Sequence, residues 1–133
     1  MPATVISLAH EAVSRAWDEV VESDLLLTQD YLHRARGIAG VWAAAHAAGR
    51  EEFVSCELAA ALSIDDLSAQ ALVAEARLLA ELPPLAESME RGQLRLTHAR
   101  VLMLELPLET RLALDVLALV LPKVEGRSRR SCA

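Results

Sequence analysis

Apolar residues recur along this chain at three- and four-residue steps, with charged residues filling the positions between. That period belongs to amphipathic helices, and strict two-residue alternation is missing throughout. Ile6, Ala9, Val13, Ala16, Trp17 and Val20 predict a first helix over 4–22, with Glu11, Arg15, Asp18, Glu19 and Glu22 on its other side. Ser23 reads as the cap of a second helix, and Asp24 suits its first turn. Leu27, Tyr31, Ala35, Ile38, Trp42 and Ala45 would form its buried stripe, and Gly49 would end it. Gly37 and Gly40 lie inside this helix and imply a close helix crossing or a kink.

The remaining elements are shorter. Ser55 reads as the cap of a third helix reaching residue 62, followed by a turn at 63–65. A fourth helix over 66–82 is expected to bury Leu67, Ala71, Leu72, Leu78, Leu79 and Leu82 in one arc. Glu75 falls inside that arc, where a carboxylate needs a partner, and Arg100 and His98 are the leading candidates. Pro83-Pro84 stops this helix and starts the next, which closes at Gly92. Thr97 reads as the cap of a sixth helix. In its first turn His98 is expected to be neutral and structural, hydrogen-bonded to a neighbouring segment. Pro107 breaks that helix, and a seventh runs over 108–121. The pattern therefore predicts an all-α fold: one bundle of about six or seven helices over 1–126, then a flexible basic tail at 127–133.

Composition supports helices. The chain is 53% hydrophobic yet only 3% aromatic, so its core is built from Leu, Ala and Val. Ala and Leu lead the helix propensities, and there is no Asn and no Asp-Gly to make a tight hairpin. With 133 residues there is length for one domain. Cys56 and Cys132 are too few for a disulfide framework and read as reduced thiols of a cytoplasmic protein. The apolar run over 101–121 contains Glu105, Pro107, Glu109, Arg111 and Asp115, which argues against a membrane span.

Candidate chemistry is sparse. His10-Glu11 lacks the second histidine of a zinc-protease helix, because Ser14 stands there. His33, His46 and His98 are scattered, and no phosphate loop or nucleophile elbow occurs. The expectation is an enzyme-free domain with no catalytic residue, no metal site and no cofactor. Residues 58–62, a turn at 63–66 and residues 67–82 have the outline of a helix-turn-helix. Over 51–90, however, Arg77 stands against nine acidic residues, and such a segment would repel a phosphate backbone. The outline therefore reads as packing geometry.

Charge is uneven: residues 1–90 carry 5 Arg and 15 acidic groups, residues 91–133 carry 8 Lys/Arg and 4 acidic groups. Arg91, Arg95, Arg100, Arg127, Arg129 and Arg130 are the candidate nucleic-acid contacts. No aromatic residue follows Phe53 to stack on bases, so that surface is a weak one for nucleic acid. Between 112 and 121 Asp115 is the only polar side chain. A helix apolar nearly all round needs cover on several sides. Leu114, Leu117, Leu119 and Leu121 are thus the candidate interface for self-association, as a dimer, or for a protein partner.

Glu57-Leu-Ala-Ala-Ala-Leu-Ser-Ile64, Ala74-Glu-Ala-Arg-Leu-Leu79, and above all Arg91-Gly-Gln-Leu-Arg-Leu-Thr-His-Ala-Arg-Val101 with Val120-Leu-Pro122 carry a family resemblance. The chain resembles the 13E12-repeat proteins of high-GC Gram-positive bacteria over residues 17–126. The resemblance implies a helical domain of unknown function, often placed ahead of a C-terminal HNH endonuclease domain. The nuclease does not carry over, since its site needs an Asn and a ββα unit, and this chain has no Asn and no spare length. What the resemblance implies is a non-catalytic helical interaction module. A DNA-binding accessory domain and an incomplete copy of a mobile-element gene are the alternatives. The arginine-rich ending at 127–130 fits the incomplete copy.

Overall fold

The computed structural model describes residues 3–131, and side chains from 9 to 126. Six α-helices and one 3-10 turn fill it, and no strand occurs among the described residues. In chain order they are α1 (Ala3–Ala47), the 3-10 turn (Glu51–Phe53), α2 (Val54–Leu62), α3 (Asp66–Glu81), α4 (Pro83–Glu90), α5 (Leu96–Glu105) and α6 (Thr110–Ser131).

The two helices expected on either side of Ser23 are one helix, α1. Between Pro2 and Gly37 there is neither proline nor glycine. Placing Ser and Asp in a helix interior costs only a few tenths of a kcal/mol each relative to better formers, roughly half a kcal/mol at most. Continuing the hydrogen-bond ladder outweighs that, so a potential cap is simply overrun. Nor do Gly37 and Gly40 mark a crossing: a Cβ at either would meet nothing within 4 Å.

The helix ends follow local chemistry more closely. Gly49 sits at φ 71°. The Arg50 N–H donates to Ala45 O and the Gly49 N–H to His46 O, the paired bonds of a Schellman cap. Gly92 closes α4 in the same way, with Gln93 N–H on Ser88 O. Ser63, at φ 56°, does so for α2 without being a glycine. Asp65 caps α3 by accepting from the Ser68 N–H at 2.7 Å, and no side chain caps α2, where Ser55 was expected to.

The C-terminal half of α1 is the spine of the bundle. Its Tyr31, Leu32, Ala35 and Ile38 are buried against Ala76 and Leu79 of α3 and Leu85, Ala86 and Met89 of α4. α4 runs back along α1, so that Arg36 faces Glu90 and Leu25 touches Gly92. Leu94, Ala99, Ala113, Leu117 and Leu121 complete the core. Each of the fully buried large side chains Leu82, Leu85, Met89, Leu94 and Leu117 is worth roughly 1.5–3 kcal/mol over exposure. The buried arc of α3 is rotated from the expected one: Ala69, Ala76 and Leu79 face inward, whereas Leu67 is 78% exposed and Ala71 lies outside. Small alanines on the inner face let α3 pack closely, a preference that hydrophobicity alone does not encode.

α6 begins at Thr110 rather than Leu108 and passes through Pro122 to Ser131, where a break and a loose tail were expected. Pro122 removes the N–H that Ala118 O would receive, but both residues are exposed, so water can serve that carbonyl. The continued helix brings Glu125 onto Ser88, whose hydroxyl donates to Oε1 at 2.5 Å.

Candidate functional site

Three polar ties hold the bundle. Thr28 is 1% exposed. Its hydroxyl donates to Asp24 O at 3.1 Å and accepts from the Leu96 N–H at 3.1 Å. It therefore caps α5 from another helix, the role expected of Thr97. The second tie is Tyr31, whose hydroxyl donates to Glu75 Oε2 at 2.5 Å. Arg100 Nε lies 3.5 Å from Glu75 Oε1, the expected ion pair, and its guanidinium stands 5.1 Å from the Tyr31 ring centre. Burial pushes the Tyr31 hydroxyl well above its ordinary pKa, helped by the Glu75 carboxylate that accepts its proton. The third is Arg77 stacked 3.7 Å over Trp42, with His46 on the ring 4.7 Å away and Glu51 at 3.2 Å from His46 Nδ1. These groups tie helices together. A tyrosine held protonated by burial is poorly placed for proton transfer near neutral pH.

The four histidines remain apart. His10, His33 and His98 are exposed, and His98 makes no hydrogen bond among the described residues, so its expected anchoring contact is missing. No group of three His, Cys, Asp or Glu among the described residues could hold a metal ion. Cys56 is exposed, and Cys132 lies outside the described residues. Among those residues, no helix is long and apolar enough to cross a membrane.

Of the arginines proposed for nucleic acid, the three described ones each lie near a carboxylate of their own chain. Arg91 lies 3.8 Å from Glu125, Arg95 3.7 Å from Asp24, and Arg100 3.5 Å from Glu75. The side chains of Arg127, Arg129 and Arg130 lie outside the described residues. Of the expected C-terminal interface, Leu117 and Leu121 belong to the core at 0% and 8% exposure. Both are buried in the core cluster, where α6 packs on α4. Leu114 is half-buried, whereas Leu119, 73% exposed, and Leu112, 47% exposed, lie two turns apart on the same face of α6.

Another exposed apolar surface lies on α1. From residue 9 to 24, every side chain of α1 is exposed. At ~100° per residue, Val13, Trp17, Val20 and Val21 fall in the same arc as Thr28, Tyr31, Ala35 and Ile38. The core-facing stripe thus runs on past the end of the bundle, and its side chains there are exposed among the described residues. Val13 is 58% exposed, Trp17 64%, Val20 55% and Val21 43%. Length explains why. At ~1.5 Å per residue, the 45 residues of α1 span ~68 Å and the 16 of α3 only ~24 Å. One sequence signal was available: an apolar stripe over residues 6–45 is longer than any other helix could cover. It was hidden by reading two helices there. An apolar groove of about 480 Å³ also lies between α1 and α2, with Gly37 in its floor and Ile38, Val41, Val54 and Leu58 in its walls.

No protein-family model, no curated protein and no solved structure matches this chain.

Proposed function

We propose that this chain is a non-catalytic helical interaction module, which acts in the cytoplasm by presenting an apolar helix face to another protein. The observation that carries the reading is the exposed Val13, Trp17, Val20 and Val21 stripe, continuous with the core face of α1. A monomer gains nothing from holding a tryptophan and three valines in water on a helix face, and contiguous apolar patches of this sort mark interaction sites. The resemblance to 13E12-repeat proteins supports the same reading, because it implies a helical domain that positions or regulates an HNH nuclease carried elsewhere. The arginine surface favours DNA less, since Arg91, Arg95 and Arg100 each have a carboxylate, Glu125, Asp24 and Glu75, within 4 Å that would meet a phosphate unfavourably.

The test is the triple variant Val13→Ser/Trp17→Ser/Val20→Ser, unfolded with urea at dilute protein. If the face is reserved for a partner, the folding free energy changes by less than about 1 kcal/mol, as for surface substitutions. If the face is part of the chain's own core, three large-to-small changes at about 2 kcal/mol or more each would unfold it. That second result would end the proposal.

A further inference from the structure

The uncovered stretch of α1 has an internal symmetry. Counting outward from Trp17, Val13 and Val21 stand four residues away on either side, and His10 and Asp24 stand seven away. At ~100° per residue all five lie within about 40° of Trp17 around the helix. The stripe is therefore a near-palindrome in shape: aromatic at the centre, valine on each flank, a polar group at each end. It is not a palindrome in charge, because the ends are a histidine and an aspartate.

We propose that this stretch pairs antiparallel with the same stretch of a second copy of the chain, about a two-fold axis at Trp17. The inference rests on the reading of this face as an interaction surface and adds what it binds. A two-fold contact must be self-complementary: residue i of one copy meets j of the other, and j meets i. Around Trp17 the rule gives Trp17 on Trp17, Val13 on Val21 and His10 on Asp24, the last two pairs each formed twice. Trp17 meets Trp17, Val13 meets Val21 and a histidine meets an aspartate at each end, while Val20 falls opposite Ser14 at the margin of the contact. A parallel pair in register would instead set Asp24 against Asp24. Antiparallel pairing further opposes the two helix dipoles.

At the base of the stretch Asp24 Oδ2 lies 3.7 Å from Arg95 Nη1 of its own chain, too far for a hydrogen bond, and its side chain is 50% exposed and open to His10 of the second copy. Thr28 and Leu25, one turn further on, are where the bundle takes over the face. Size sets the strength. The 16 residues 9–24 span ~24 Å. A single helix pair of that length buries less than the ~1,200 Å² of a standard stable interface, so the dimer is weak and forms at high concentration.

The experiment uses the whole chain with a benzoylphenylalanine photo-crosslinker in place of Trp17, and sedimentation equilibrium on the unlabelled protein. Irradiation should give a covalent dimer whose crosslinks map to residues 13–21 of the other copy. Trp17→Ala should raise the dimer dissociation constant about thirtyfold, as for the central residue of an interface. Val13→Ser/Val21→Ser should do the same, whereas Leu119→Ala should leave it unchanged. Trp17 is 64% exposed, so none of this threatens the fold, and circular dichroism checks it. Crosslinks from position 17 into α6, or association that survives Trp17→Ala and falls with Leu119→Ala, would overturn the proposal. So would a strictly monomeric chain at millimolar concentration. In each of those cases the α1 stretch tolerates the serine triple variant if the interaction reading stands, and loses stability to it if that reading has failed too.

Discussion

Replacing Thr28 by valine removes one oxygen and keeps the side chain's shape. Its consequence can be worked from the structure. Thr28 is 1% exposed, so the new methyl enters the space the hydroxyl left. Asp24 O loses a second donor but keeps its own helical one. The Leu96 N–H is the group that suffers: it is among the first donors of α5, it bonds to Thr28 Oγ1 at 3.1 Å, and Arg95 offers no side-chain cap. An orphaned buried donor costs about 1–3 kcal/mol, and loss of a helix cap about 0.5–2 kcal/mol. Leu96 is only half-buried, so water reaches part of the site and the lower half of the range applies, about 1–1.5 kcal/mol. For a domain of this size that corresponds to roughly 4–6 °C in Tm. Thermal and urea unfolding of Thr28→Val, beside Thr28→Ser as the control that keeps the hydroxyl, measures it. A valine variant as stable as the parent, or a serine variant that falls equally far, would refute the claim that this hydroxyl caps α5 across the bundle.

The chain's only tyrosine reports on its own burial. The folded-state pKa of Tyr31 is raised, so its contribution is fully present below the ordinary tyrosine value near 10 and is lost as pH rises toward the folded value. Absorbance at 295 nm should therefore stay flat through pH 10 and rise only as the chain unfolds; a simple ionisation near 10 in folded protein would contradict the Tyr31–Glu75 geometry. Gly92→Ala should cost about 1–2 kcal/mol in urea unfolding, because a left-handed backbone at φ 72° disfavours a side chain and its Cβ would sit 3.1 Å from Leu25 Cδ2. A neutral substitution there would show that the α4–α5 turn is not pressed against α1.

What was legible in the sequence is what neighbouring residues decide. Ala and Leu in a three-four rhythm specify helices. Gly49, Pro83-Pro84 and Gly92 end them by backbone conformation alone, and all act where expected. Glu75 was legible too, since a carboxylate inside an apolar arc demands a partner, and Arg100 supplies it. Two of the misreadings have a common origin. Ser23 and Thr97 were each weighed as local signals, and each gives way to something non-local or cooperative. Helix propagation overruns Ser23. Thr28, 68 positions away from Leu96, takes the place of Thr97. The Glu125 contacts with Ser88 and Arg91 reward a helix that continues past Pro122. Of the C-terminal candidate surface, Leu117 and Leu121 are buried in the core and Leu119 is exposed, while the continuous face of α1 was hidden because it was drawn as two helices divided at Ser23.

Amide hydrogen exchange on the dilute monomer tests the central claim most directly. If residues 9–24 of α1 form an uncovered face awaiting a partner, their amides exchange orders of magnitude faster than those of 28–38, although one helix contains both. Their protection should then rise as protein concentration is raised. Equal protection of 9–24 and 28–38 at a concentration where the chain is monomeric would mean that the chain covers this face itself, and the interaction surface described for α1 would not exist.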